Sequence, residues 1–188
     1  MDQHNENLQD AKRAMAEADC LVDNAQVEAA LDALALAISA RLADSNPLVF
    51  VVMNGGLVVA GRLLPKLNFP LEVSYLHASR YGHALNGNLL DWRVRPTQDL
   101  RGRTVLVLDD ILDEGFTLQA ILAHLKSEGA LEVLSAVLVH KDHPRKAVPG
   151  MRADFTGLDV ADRFLFGCGM DYKGYWRNAP GIYALKGN

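Results

Sequence analysis

Apolar positions fall into blocks of two kinds along the chain. From about Leu8 to Leu42 they recur at steps of roughly three and four, with Leu21, Val27, Leu31, Leu34, Ile38 and Leu42 on one stripe. That spacing predicts a helical N-terminal segment that stops before Pro47. Leu48–Met53 (LVFVVM) is a continuous apolar, β-branched run that opens into Asn54-Gly55-Gly56. It predicts a buried strand leaving into a tight turn. Leu57–Leu64 resumes the helical spacing, with Pro65 near its end, and Leu71–Leu76 alternates as a strand.

A polar stretch follows from His77 to Arg101, with Tyr81-Gly82 and Asn86-Gly87-Asn88 inside it. It is too long for a simple connection, and a long loop or protruding hairpin in a compact domain is often functional. Thr104–Leu108 (TVLVL) predicts a central strand. Thr117–Glu128 predicts an amphipathic helix, with Leu118, Ile121, Leu122 and Leu125 on one face and Gly129 at its C-cap. Val133–Val139 predicts another buried strand. The order strand, helix, strand, insertion, strand, helix, strand points to an α/β fold with a mainly parallel sheet. In such sheets ligands bind at the carboxyl ends of the strands. Four of the strands end in suggestive residues: Met53–Gly56, His77–Tyr81, Asp109-Asp110 and His140-Lys141.

Composition narrows this picture only a little. The 188 residues are 49% hydrophobic and 22% charged, which fits a globular domain rather than disorder. A net charge of −4 disfavours a nucleic-acid binder, which usually carries a basic face. The two cysteines, Cys20 and Cys168, match no zinc or redox spacing and suit reduced thiols in a cytoplasmic protein. The polar N-terminus offers no secretory signal, and no apolar run is long enough to span a membrane.

The chemistry concentrates in Val105–Leu118, VLVLDDILDEGFTL. Asp109 and Asp110 are adjacent carboxylates at a strand end, and they suit a ligand offering hydroxyls or a divalent cation. Asp113, Glu114, Gly115, Phe116 and Thr117 follow as a turn into a helix. The backbone amides there, with the Thr117 hydroxyl, form an anion cradle suited to a phosphate monoester. Asp113 and Thr117 could instead cap that helix, and the acids could form a metal pocket of the phosphotransfer-receiver kind.

The stretch resembles the phosphoribosyl pyrophosphate motif of the type I phosphoribosyltransferases, and the segments around it resemble the hypoxanthine-guanine branch. The likeness runs from about Val49 to Tyr183. It implies the fold of that family: a mainly parallel sheet flanked by helices, with a small hood and a flexible loop. Residues 1–188 would form a single domain, with a helical segment at 1–45, a mobile loop or hairpin at 78–101 and the hood drawn from about 155–188.

The resemblance also implies roles. Asp109 and Asp110 would bind the ribose hydroxyls, directly or through magnesium-bound water. Asp113 to Thr117 would hold the 5-phosphate, and Asp113 would be the general base that takes a proton from N7 of the purine. Asn54 and Gly55 would approach the diphosphate, in some members across a cis peptide bond. Arg80 and Tyr81 would begin the closing loop. Lys141 would recognise the purine O6, which favours an oxo group over an amino group. Phe164 would stack on the base, Leu165 would offer its backbone to the base edge, and Asp171 would lie beside them and touch magnesium-bound pyrophosphate. Arg177 would contact pyrophosphate. Three positions depart from the pattern. Arg80 stands where a Ser-Tyr pair is usual and appears here as Arg80-Tyr81. Glu114 stands where Thr or Ser is usual, so its amide rather than its side chain would serve. Asn54 stands where a basic residue is common.

The implied reaction is purine salvage: Mg²⁺-dependent transfer of the 5-phosphoribosyl group to hypoxanthine or guanine, giving IMP or GMP and pyrophosphate. The implied assembly is a homodimer or homotetramer, with no nucleic-acid or membrane partner. A xanthine or other base is an alternative. So is a regulator of this fold that binds RNA of pyrimidine operons, which the acidic balance disfavours.

Overall fold

The computed structural model describes residues 3–80 and 90–187. Its elements run α1 (Gln3–Glu17), β1 (Asp19–Val22), α2 (Asn24–Leu42), β2 (Leu48–Val52), α3 (Gly56–Leu63), β3 (Glu72–Arg80), β4 (Leu90–Val94), β5 (Thr104–Leu112), α4 (Phe116–Ser127), β6 (Glu132–Asp142), β7 (Phe155–Ala161), β8 (Leu165–Phe166) and β9 (Ile182–Ala184). A six-stranded sheet has the order β4-β3-β2-β5-β6-β7. Within it β3, β2, β5, β6 and β7 are parallel, and β4 is antiparallel to β3. A three-stranded antiparallel sheet has the order β1-β9-β8.

The continuous apolar runs have a direct cause. In β2, Val49 and Val51 pack toward α2 and α3, while Leu48, Phe50 and Val52 pack toward α4. Both faces of the strand are buried, so every position is apolar rather than alternate ones. β5 behaves the same way: Leu106 and Leu108 join the first cluster, Val105 and Val107 the second. α2 buries Val27, Leu31, Leu34, Ile38 and Leu42. Its start is fixed by a capping box, in which the Gln26 amide donates to Asp23 Oδ1 at 2.8 Å and the Asp23 amide donates to Gln26 Oε1 at 2.9 Å.

Four features differ from the sequence-based expectation. The helical reading from Leu8 to Leu42 is broken, because β1 leaves α1 and pairs with β9, and Asp23 then restarts the helix. The strand read as Leu71–Leu76 runs on to Arg80 and pairs with β4, so His77–Arg80 is sheet rather than loop. β5 continues to Leu112, with Ile111 and Leu112 still paired to Val139 and His140, so Asp109 and Asp110 lie within the strand rather than after it. β7, inside the stretch expected to form the hood, is the edge of the main sheet; the small sheet takes β8, β9 and the N-terminal β1.

Sheet order also locates a crevice. After β2 the chain builds β3 and β4 on one side, then returns to place β5 on the other. The order reverses between β2 and β5, and open α/β sheets bind ligands at such a switch point.

Candidate active site

A cavity of about 770 Å³ opens over the carboxyl ends of β2, β5 and β6. It is lined by Asn54 and Gly55 beyond β2, by Asp109–Leu118, by Lys141 at the end of β6, and by Phe164, Leu165, Met170, Asp171 and Arg177. Asp109, Asp110, Asp113, Glu114, Gly115, Phe116, Thr117, Asn54, Gly55, Lys141, Phe164, Leu165, Asp171 and Arg177 therefore share one space. Arg80 closes β3, its backbone paired with Leu90, and Tyr81 lies outside the described residues.

The acidic pair sits at the floor. The two carboxyls lie close enough to interact directly. Asp109 Oδ1 accepts from the Asp110 amide at 2.9 Å, and Asp110 Oδ1 accepts from the Ile111 amide at 2.8 Å. Burial, then the charge of Asp110, pushes Asp109 well above the usual carboxylate range; burial raises Asp110 as well. Asp110 lies between two glycine backbones. A Cβ on Gly55 would overlap its carboxylate, and a Cβ on Gly169 would come within 2.8 Å of its Cβ. Gly169 has φ +107, so its conformation also excludes most side chains. The Met53–Asn54 peptide bond is cis.

The loop after β5 turns on Gly115, at φ 87, which is the N-cap of α4. No side chain caps that helix, so neither Asp113 nor Thr117 serves as a cap. The first turn of α4 opens on the cavity instead. The Glu114 side chain is exposed, and its carbonyl accepts from the Ala147 amide at 2.7 Å.

Asp113 is held from the neighbouring strand. Lys141 Nζ donates to Oδ2 at 2.8 Å, and His143 Nε2 lies 2.6 Å from Oδ1. Burial opposes ionisation of Asp113, but these two partners outweigh it and hold the carboxyl below its ordinary range. Lys146 completes the brace, its ammonium donating to the carbonyls of Leu112, Asp113 and Lys141 at 3.2, 2.5 and 2.6 Å. Sequence reading missed His143 and Lys146. The run His140–Lys146 (HKDHPRK) was a signal of sorts, but nothing in it says which residue turns inward.

Across the cavity, Phe164 is half-exposed and meets Tyr172 edge-on at 5.9 Å, while Phe166 is buried and stacks on Tyr183. Of the two aromatics, Phe164 is thus the one presented to a ligand. Asp171 pairs with Arg177, whose Nη1 also donates to the Gly169 carbonyl at 2.7 Å. α1 supports this segment: Asp10 accepts from the Tyr172 hydroxyl at 2.8 Å and from Lys173, and the Trp176 indole donates to the Ala11 carbonyl at 2.6 Å.

The chain is similar to several known phosphoribosyltransferases. A hypoxanthine-guanine phosphoribosyltransferase of Bacillus subtilis is 29% identical over 170 residues, covering 88% of this chain and 92% of its own length. A hypoxanthine-guanine-xanthine phosphoribosyltransferase of Tritrichomonas foetus is 34% identical over 144 residues, covering 76% of this chain and 78% of its own. A solved hypoxanthine-guanine phosphoribosyltransferase from Bacillus anthracis superposes with a TM-score of 0.82 at 25% identity, over 89% of this chain and 98% of that one. The model of the phosphoribosyl transferase domain matches residues 17–173, and the chain belongs to that family.

Proposed function

We propose that the protein transfers the 5-phosphoribosyl group of phosphoribosyl pyrophosphate to N9 of hypoxanthine or guanine, giving IMP or GMP and pyrophosphate in purine salvage. The observation that carries this reading is the pairing of Asp113 with Lys141, at 2.8 Å, in the cavity that holds the acidic pair. A carboxylate next to a cation matches N7–H next to O6 of a 6-oxopurine. Asp113 accepts the N7 proton as the base is alkylated at N9, and Lys141 moves to O6, where it stabilises the charge that develops. An amino group at C6 would set donor against donor, so adenine is rejected. Phe164 offers a ring face to the flat base, and Leu165 lies at its edge. Asp109 and Asp110 face the ribose hydroxyls, and the loop Asp113–Thr117 receives the 5-phosphate. Asn54, Gly55 and Arg177 receive the diphosphate.

Magnesium fits this donor set. Among the described residues no three acidic, histidine or cysteine side chains converge on one point. Scattered carboxylates suit a hard cation that arrives with the diphosphate and keeps much of its water. Asp171, Asp109 and Asp110 are the residues that would hold it. When bound, Mg²⁺ neutralises charge on the departing diphosphate. The protein would work as a homodimer or homotetramer in the cytoplasm; among the described residues no helix is long and apolar enough to cross a membrane.

The test is a panel of bases, each supplied with phosphoribosyl pyrophosphate and Mg²⁺. Turnover of hypoxanthine or guanine with little on adenine supports the reading. Preference for xanthine would redirect it, and salt-sensitive RNA binding with no turnover of any base would overturn it.

A further inference from the structure

His143 lies beside the base-binding lysine without taking part in any step above. β6 delivers Lys141 to the cavity and ends at Asp142, and Pro144 follows at once. The imidazole between them is buried, its side chain 1% exposed. Both ring nitrogens are engaged. Nδ1 accepts the Arg145 amide at 3.1 Å, and Nε2 lies 2.6 Å from Asp113 Oδ1. A nitrogen that accepts a backbone N–H carries no proton of its own. Nε2 is therefore the nitrogen that donates, to Asp113 Oδ1. A second ring proton would point at the Arg145 amide.

We propose that His143 is a positioning residue for the general base, fixing Asp113 through Oδ1 so that Oδ2 faces the purine throughout the reaction. This rests on the reading of Asp113 as that base. The two oxygens are held by donors of different kinds. Lys141 lines the cavity and leaves Oδ2 when the substrate draws it to O6. His143 lies behind Asp113 and stays. Without it, the 44%-exposed carboxylate has no other side-chain donor among the described residues once Lys141 leaves, and is then free to rotate. Positive charge already surrounds Asp113: Lys141 on β6, Lys146 on its own carbonyl, and Arg145, which pairs with Asp162 while Asp162 lies 3.8 Å from Lys141.

The experiment compares wild type with His143→Phe and His143→Gln, the latter restoring an N–H donor. With hypoxanthine, His143→Phe should lower kcat about tenfold or more, leave KM for phosphoribosyl pyrophosphate unchanged, and move the acid limb of the pH profile to higher pH. The direction follows because removing a donor makes the carboxylate easier to protonate. His143→Gln should recover much of kcat and return the limb toward wild type. Unchanged kcat and acid limb in a folded His143→Phe, alongside an inactive Asp113→Asn, would overturn the proposal and leave the function standing. An inactive wild type would instead sink the function. Should the variants fail to fold, ¹⁵N spectra of histidine-labelled wild type still decide it: a ring protonated at Nε2 supports the proposal, and a ring whose Nε2 carries no proton overturns it.

Discussion

Lys141 Nζ lies 2.8 Å from Asp113 Oδ2, where Lys141 sits near the end of β6 and Asp113 just follows the parallel strand β5. Neither is close to the other in sequence. The pairing of β5 with β6 through Leu112 and His140 brings them together at the mouth of one cavity. The contact makes each residue's expected behaviour depend on the other.

Lys141→Met removes the cation while keeping a side chain of similar length. We expect KM for hypoxanthine to rise about tenfold or more, with KM for phosphoribosyl pyrophosphate little altered. Discrimination against adenine should fall as well, since the donor that rejects its amino group is gone. Steady-state kinetics with each substrate varied separately checks this; an equal rise in both KM values would place Lys141 outside the base subsite.

Asp113→Asn should lower kcat about a hundredfold or more while phosphoribosyl pyrophosphate still binds. An amide preserves the shape and its contact with Lys141 is weak, but it accepts no proton from N7. Calorimetric binding together with single-turnover rates separates the two effects. Near-wild-type turnover would remove Asp113 from the role of base.

The acidic pair carries a pH-dependent cost. Burial and then the charge of Asp110 raise Asp109 in the folded protein, while the unfolded chain keeps an ordinary carboxylate. A raised carboxylate favours folding at pH below its unfolded value, and that contribution is lost as pH rises through the folded value. At neutral pH the buried pair therefore opposes folding. Asp109→Asn should raise Tm by a few degrees near neutral pH, less so toward about pH 4, while weakening phosphoribosyl pyrophosphate binding. Thermal melts across pH test this; a Tm lowered at neutral pH would contradict it.

Gly55→Ala tests the tight packing over Asp110. The added methyl would overlap the carboxylate, which must shift or force the loop away. Binding of phosphoribosyl pyrophosphate should weaken sharply, and more than in Gly61→Ala, where nothing lies within 4 Å of the new Cβ. Equal affinities in the two variants would show that the loop yields freely.

Much of this fold was legible because its central strands are buried on both faces and its helices on one. LVFVV and TVLVL read as strands because no position faces water, and the α2 stripe reads as a helix because every third or fourth residue meets the sheet. β1 was not legible. Asp19–Val22 is short and mostly exposed, and its partner Ile182–Ala184 lies at the other end of the chain. The residues after Leu76 read as loop because an edge pair such as β3 and β4 tolerates polar side chains. In the site, strand ends and the acidic loop announced themselves locally. His143 did not, because its meaning lies in a contact with a different strand, and the local sequence shows only one basic residue among several.

The central claim is that one cavity joins a phosphoribosyl group to a 6-oxopurine. The most direct measurement is mass-spectrometric identification of the products formed from phosphoribosyl pyrophosphate, Mg²⁺ and hypoxanthine. IMP and pyrophosphate should form in equal amounts, with formation abolished in the double variant Asp113→Asn, Lys141→Met. Ribose 5-phosphate and pyrophosphate without nucleotide, or no consumption of either substrate, would contradict it.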